Sequence, residues 1–382
     1  MVSTNNQNPM ESLSVDDLTP VVRRITGDDA ASVMPGWTAK RIGKSVGFGT
    51  VGLYRVTGEA ESPGTRRQWS AVLKVLDERA GGTGAGFVSP KTEIAAYRSG
   101  IFEKPAGAEG FRAATCYAIH AKADGSHWLW LEDISDAPVP PWSDDQYISS
   151  ARHIGQFSGI WTRRPLPIEP WLGRDKFEAS ILGETESVLA LRQNSIVARA
   201  IPADLVERAA IVRPDLQFLA STLRRLPSTV CHSDCHPKNL LLVMKGSSHA
   251  ATVAIDWASA SLGPVGIDSG GLIGSGLVWT EMGAERARRL EKPVFDSYMA
   301  GLTDAGWRGD PRHARLGFLA FMTRYCASMI SITTSMATDI KRQERISGLV
   351  GKPVATTLDE YQRNLRFLLP LLDEAVELAK QV

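Results

Sequence analysis

The spacing of apolar positions changes about a third of the way along the chain. From Trp37 to about Trp130 they alternate over short runs punctuated by glycine. WTAKRIGKS, TVGLYRVTG, QWSAVLKVL and HWLWLEDI therefore predict strands, with loops at 58–67 and 79–90. One helical stretch interrupts them, Thr92 to Ser99. From Tyr147 onward the period becomes 3.6. ARHIGQFSGIW, Ala203 to Leu226, ERARRLEKPVFDSYMAGL and LDEYQRNLRFLLPLLDEAVELAK all predict helices. The first 35 residues read as a frayed tail with a short helix after Ser14, where Asp16 and Asp17 favour the first turn and Val21, Val22 and Ile25 form a partial stripe. A β-rich segment followed by a helical remainder predicts an α+β chain of two lobes, not alternating β-α units. The expected division is an extension over 1–35, a β-rich N-lobe over 36–134 and a mainly helical C-lobe over 135–382.

Composition narrows the partners. The 382 residues carry a formal net charge of +1, which gives no basic surface for nucleic acid and no acidic tail. No apolar run approaches the roughly 20 residues that cross a bilayer, so no membrane is expected. The polar start from Met1 to Asp17 lacks an apolar signal core, and four cysteines do not make a disulfide framework in a chain this long. A cytoplasmic protein is the expectation.

Candidate chemistry begins at Gly47-Phe48-Gly49-Thr50-Val51-Gly52, which spells G-x-G-x-x-G. Glycines let backbone N–H groups approach phosphate oxygens with no side chain intervening. A dinucleotide loop leads into a helix; this one leads into the strand LYRVTG and so caps a hairpin, as in loops that cover ATP phosphates. Two other glycine clusters fail their patterns. Gly43-Lys44-Ser45 has Thr38 where a P-loop needs glycine, and Gly81 to Gly86 is followed by Phe87 and by Pro90, which delays the helix. Lys74 lies inside the apolar strand Ala71–Leu76, where an ammonium is costly to desolvate unless it pairs. Glu93, on the helical stretch, is the candidate partner. The order of loop, lysine and glutamate fits nucleotide binding.

His232-Ser233-Asp234-Cys235-His236-Pro237-Lys238-Asn239 fits H-x-D-x-x-x-x-N. It is followed by Leu240–Val243 and by the apolar strand Thr252–Ile255, which ends in Asp256-Trp257. Phosphoryl transfer needs a carboxylate on the attacking hydroxyl, which Asp234 supplies, and oxygen ligands for Mg²⁺, which Asn239 and Asp256 supply. These residues resemble the aminoglycoside phosphotransferase/choline kinase-like family of small-molecule kinases, with its H-G-D-x-H-P-x-N segment and following I-D-W or I-D-F. The resemblance runs from about Gly47 to Asp268. It implies a protein kinase-like fold, ATP and Mg²⁺ as cofactors, and a small-molecule hydroxyl as phosphate acceptor. By the same resemblance, Leu129–Ile134 is the hinge whose backbone, around Glu132 to Ile134, hydrogen-bonds adenine. Gly263–Asp268 loosely matches the family's G-D-P-x-x-D, with Asp268 anchoring the catalytic loop. Ser233 replaces the usual glycine, and Lys238 stands at a variable place.

Alternative readings of the same tract carry less. Cys231, His232, Cys235 and His236 suggest zinc, but no second ligand pair follows. A Cys–His nucleophile lacks an oxyanion or Asp/Asn partner. His232 reads as a structural brace. A kinase-like protein with a regulatory, non-catalytic or protein-kinase role is the alternative function. The short interval from Asp256 to Asp268 and the missing A-P-E triplet oppose a protein kinase. For the acceptor, sugars, amino alcohols and antibiotics are all open. Residues 270–350 hold eleven bases against eight acids, which weighs against a polycation. Trp161, Trp171, Trp279 and Tyr325 are candidate pocket aromatics.

Overall fold

The computed structural model describes residues 13–43, 49–80, 88–103, 110–174, 202–245 and 248–382. It divides into two compact units: Met1–Lys104 with Ala113–Asp136, and Pro105–Arg112 with Ala137–Val382.

The first unit is an antiparallel sheet with one helix on each of two flanks of its chain path. Helix α1 (Val15–Thr26) starts at a capping box in which the Asp17 N–H donates to Ser14 Oγ and the Ser14 N–H donates to Asp17 Oδ2. Leu18, Val21 and Val22 on α1 are fully buried in one cluster with Tyr54, Val56, Trp69, Ala71, Leu73, Val75, Trp128 and Trp130. Each fully buried aliphatic side chain contributes about 1.5–3 kcal/mol. The helix after Ser14 is therefore part of the sheet's core, and from Leu13 onward the segment read as a frayed tail is folded in. Strands β1 (Ser32–Val33), β2 (Thr38–Arg41), β3 (Thr50–Ser62) and β4 (Thr65–Leu76) follow. After a register shift between Thr50 and Gly52, β3 and β4 pair residue by residue down to Ser62 opposite Thr65, so the loop expected at 58–67 is a two-residue turn at the end of a long hairpin. The run Gly58–Arg67 reads as a loop because Thr65–Arg67 is exposed and Ala60 is the one residue of Gly58–Ser62 that is buried.

Helix α2 (Pro90–Ser99) starts two residues before the expected Thr92, with Ser89 as N-cap and Pro90 in the first turn. β5 (Phe111–Ala113) falls at the boundary between the units, and β6 (Cys116–Ala121) and β7 (His127–Glu132) complete the sheet in the order β1-β3-β4-β7-β6, with β2 also on β3.

The second unit is mainly helical. Helix α3 (Asp144–Thr162) and helix α4 (Ala203–Leu223) precede two small sheets, the pair β8 (Ser228–Cys231) with β11 (Ser261–Pro264), and a three-stranded sheet in which β9 (Leu240–Lys245) and β10 (Ser248–Ala254) are joined by β5 in the order β5-β10-β9. Six helices follow: α5 (Ile267–Val278), α6 (Ala284–Asp304), α7 (Pro311–Thr323), α8 (Tyr325–Thr338), α9 (Ile340–Val350) and α10 (Val354–Ala379). Gly110 accepts the Thr252 N–H at 2.7 Å, and Phe111 packs on Phe157 and Trp257, which ties the segment before β5 to this unit. The stretch Pro311–Thr333 is long and apolar enough to cross a membrane by length and composition, in contrast to the sequence expectation. It comprises α7 and part of α8, and 78% of its most apolar window is buried inside the fold, as in the core of a globular unit.

Candidate active site

In the first unit the site is organised around Lys74. β4 lies between β3 and β7, with Lys74 opposite Leu53 on one side and Leu129 on the other, so the lysine sits on a central strand. Trp69, Ala71, Leu73 and Val75 alternate onto the face covered by α1, which turns Lys74 to the opposite face. There its Nζ donates to both carboxylate oxygens of Glu93 on α2, at 2.7 and 2.8 Å. Exposures of 7% and 1% make this a desolvated pair, whose ammonium and carboxylate each need the other.

The glycine-rich segment enters β3 directly. Gly47 lies outside the described residues, as do Lys44, Ser45 and the 81–86 glycines. Gly49 has φ +90°, and a Cβ there would stand 2.3 Å from Pro90 Cγ, at the start of α2. The Gly49 carbonyl accepts the Asp77 N–H at 2.8 Å, so the end of the loop is fastened to the end of β4. At Gly52 an added Cβ would meet the Tyr54 ring. The segment after β7 is pinned by its side chains. Glu132 accepts the Thr115 N–H at 3.0 Å, and Asp133 pairs with Arg55 at 2.9 Å and accepts the Ser70 hydroxyl. The Glu132 N–H itself donates to Thr115 at 2.9 Å, so this one backbone donor of the expected hinge belongs to the sheet. Ile134 follows, half-buried.

In the second unit β8 delivers His232 and Ser233 into a tight loop. Both their N–H groups donate to the Asp268 carboxylate, at 2.8 Å each. Asp268 sits in the first turn of α5 and is buried; burial pushes its carboxyl up, while His232 and the two N–H donors pull it back. His232 is buried against Trp257, ring centroids 4.7 Å apart, and its Nε2 lies 2.9 Å from the Ile255 carbonyl. It braces the loop, in agreement with the sequence reading. Ser233 adopts φ +66°, where glycine carries no steric penalty, and its hydroxyl lies 2.7 Å from that of Ser261.

The backbone then presents Asp234, which is half-buried. The Asn239 amide donates to Asp234 Oδ2 at 2.9 Å and to its carbonyl at 3.2 Å. His236 Nε2 stands 3.7 Å from Asp234 Oδ2. Burial pushes the Asp234 carboxyl up, but His236, His232 and Arg324 outweigh it, and the net direction is below the ordinary aspartate value. Asn239 is tied to the strand beyond, since its carbonyl accepts the Ile255 N–H at 2.9 Å. The next residue, Asp256, has φ +62°. Among the described residues, Ser233, Asp256 and Thr280 are the non-glycine positions with positive φ. Two of the three thus lie in this candidate site; Thr280 adjoins Glu281, which pairs with Lys238 of the His232–Asn239 loop.

Helix α5 supports the loop from below. Gly271 faces the Cys235 carbonyl at 3.1 Å and the Phe321 ring at 3.3 Å from where a Cβ would be. Cys231 and Cys235 are buried, and burial pushes both thiols well up, which suits packing and not nucleophilic attack. Of the candidate aromatics, Trp161 and Tyr325 are buried, Trp171 donates to Glu169, and Trp279 is 45% exposed. The sequence reading missed Arg324, whose charge reaches Asp234. The available signal was its position as the sole charged residue between Leu316 and Thr338.

Residues 173–302 match the model of the phosphotransferase enzyme family, a span holding Asp234, Asn239, Asp256 and Asp268. Among solved structures, an aminoglycoside phosphotransferase from Alicyclobacillus acidocaldarius is 13% identical, with a TM-score of 0.50 over 93% of this chain and 96% of that one. An amicoumacin kinase bound to AMP-PNP and Ca²⁺ is 12% identical, with a TM-score of 0.46 over 84% and 88%. A thermostable aminoglycoside phosphotransferase mutant with ADP and hygromycin B is 11% identical, with a TM-score of 0.43 over 89% and 97%. A comparison with curated proteins finds no match. The family resemblance is thus shown: over residues 173–302 the chain matches the phosphotransferase enzyme family, and over nearly its whole length it has the α+β, kinase-like fold of an aminoglycoside phosphotransferase.

Proposed function

We propose that this protein transfers the γ-phosphoryl group of ATP to a hydroxyl of a small molecule. The observation that carries the reading is the loop from His232 to Asn239, latched by Asp268 and presenting an ionised Asp234. In the reaction the acceptor oxygen forms a bond to the γ-phosphorus as the bond to the β,γ-bridging oxygen breaks, and ADP leaves. Asp234 orients the acceptor hydroxyl and takes its proton.

The residues present fit a hard divalent cation. Asn239 spends its amide hydrogens on Asp234, which leaves Oδ1 as a neutral oxygen ligand, and Asp256 adds a carboxylate. Mg²⁺ bound by this pair would neutralise charge on the triphosphate. Lys74, held by Glu93, would neutralise the α- and β-phosphates, and backbone N–H groups around Gly47, Gly49 and Gly52 would cover them. With the Glu132 N–H given to Thr115, adenine would be read through the Glu132 carbonyl and the Ile134 amide. Neighbours in fold that carry AMP-PNP or ADP support a nucleotide here. A screen of ADP release over sugars, amino alcohols, hydroxy acids and antibiotics, with Asp234→Ala as control, tests the reading. Acceptor-dependent release is expected from the wild type alone; failure to bind Mg²⁺·ATP would end it.

A further inference from the structure

Helix α5 ends in a turn that carries strain. The Glu281 N–H donates to the Gly276 carbonyl at 2.8 Å and the Trp279 N–H to that of Ser275 at 3.1 Å, the bonding of a helix that stops through a left-handed residue. That place usually falls to glycine, and α5 is rich in glycine. Here it holds Thr280, at φ +56°, where a β-branched side chain is a steric outlier. The same residue is 7% exposed, and among the described residues its hydroxyl has no hydrogen-bond partner. Backbone strain and an orphaned hydroxyl at one position both oppose folding. Such costs persist where the surroundings fix a shape that serves binding.

What the turn holds out is a platform beside the His232–Asn239 loop. Trp279 is 45% exposed, whereas Trp142, Trp161 and Trp257 are buried. Glu281 pairs with Lys238 of that loop, so a side-chain contact joins the turn to the segment that carries Asp234. Lys352 fastens the turn from the other side, its Nζ donating to the Thr280 carbonyl and to Glu360 at 2.8 Å each. Gly271, against the Cys235 carbonyl, and Trp279 lie about 12 Å apart along α5, a span that a one- or two-ring molecule covers.

The chemistry of the platform selects among acceptors. The charged side chains bonded to the turn come as compensated pairs, Lys238 with Glu281 and Lys352 with Glu360. Neither a polycation nor a polyanion meets a net opposite charge in these four residues. A neutral, hydroxyl-bearing ring meets an indole surface for its C–H face, an ammonium that donates and a carboxylate that accepts, both partly open to solvent.

We propose that the acceptor is a neutral sugar or glycoside that stacks on Trp279, and that the strained Thr280 turn holds this ring and the Lys238–Glu281 pair in place for it. This rests on the phosphotransferase reading above and names its substrate class.

The test uses the full chain with Mg²⁺·ATP and matched acceptors: neutral monosaccharides, their methyl glycosides and disaccharides, against the corresponding amino sugars and uronic acids. The neutral member of each set is expected to have the higher kcat/KM, by about tenfold or more. Trp279→Ala should raise KM for that acceptor about tenfold or more and leave KM for ATP within about twofold, while Trp279→Phe retains part of the affinity. Thr280→Gly should melt at or above the wild-type temperature and still raise the acceptor KM about threefold or more. Thermal melts of the Trp279 variants verify folding. Preference for amino sugars or uronic acids, no turnover of any neutral sugar, an unchanged acceptor KM in Trp279→Ala, or a Thr280→Gly that melts well below the wild type would each overturn the proposal. The phosphotransferase reading survives all four if another acceptor is phosphorylated; it falls only if the wild type fails to bind Mg²⁺·ATP or transfers phosphate to nothing.

Discussion

Ser233 shows how closely the site is drawn at the level of single residues. A serine at φ +66° costs about 1 kcal/mol relative to glycine, and its hydroxyl recovers part of that through Ser261, which is fully buried. Ser233→Gly should therefore melt close to the wild type, because it relieves the backbone while losing the hydroxyl. Ser233→Ala keeps the strained backbone and loses the hydrogen bond, so it should be less stable than Ser233→Gly by about 1 kcal/mol in denaturant titration. The reverse order would show that the loop is not held as described. The Lys74–Glu93 pair makes a second prediction. Lys74→Met strands a buried carboxylate and should cost about 3–5 kcal/mol, whereas Lys74→Met with Glu93→Leu should recover most of the loss. Additive losses would contradict a mutually dependent pair. Both sites were legible as residue types in the sequence. The serine in place of a family glycine was visible, but its left-handed backbone and the Ser261 partner, 28 positions away, come only from the fold.

Among elements, the glycine-rich helix α5 was the least legible. Glycine lowers helix propensity by about 1 kcal/mol per residue, so Ile267–Val278, with four glycines in IDSGGLIGSGLV, does not announce a helix. Tertiary packing overrides propensity because these glycines admit the His232–Asn239 loop and α7 at short range. Helices α3 and α6 use the same device. A Cβ on Gly155 would stand 2.1 Å from the Tyr298 carbonyl, and one on Gly301 2.0 Å from that of Arg152. Gly155→Ala must push the two helices apart and should destabilise by about 1–3 kcal/mol or more. Gly348→Ala, inside exposed α9 where nothing lies within 4 Å, serves as the control and should be neutral or stabilising by up to about 1 kcal/mol. Equal effects would remove close helix approach as the explanation. The amphipathic helices α4, α6 and α10 and the strands around Lys74 were plain from their periods. The outer half of the β3–β4 hairpin was not, because Thr65–Gln68 is exposed throughout and Ala60 is the one buried residue between Gly58 and Ser62, too little alternation to mark a strand.

For the whole molecule, the first unit ends at Asp136, and the assignment of Gly110–Arg112 to the second unit rests on contacts far along the chain, with no local signal in the sequence. The four cysteines are all buried and free, and burial pushes the Cys116 and Cys326 thiols up to about 12. At pH 8 the folded protein should react with Ellman's reagent far more slowly than the unfolded chain, which should release four equivalents; rapid native reaction would contradict the buried placement. The central claim is transfer of phosphate to a small molecule, and phosphorus-31 NMR of Mg²⁺·ATP with an accepted substrate tests it most directly. The account predicts a new phosphomonoester resonance on the acceptor that grows in step with ADP and is absent with Asp234→Ala. ATP consumption that yields only inorganic phosphate, or an Asp234→Ala variant as active as the wild type, would contradict it.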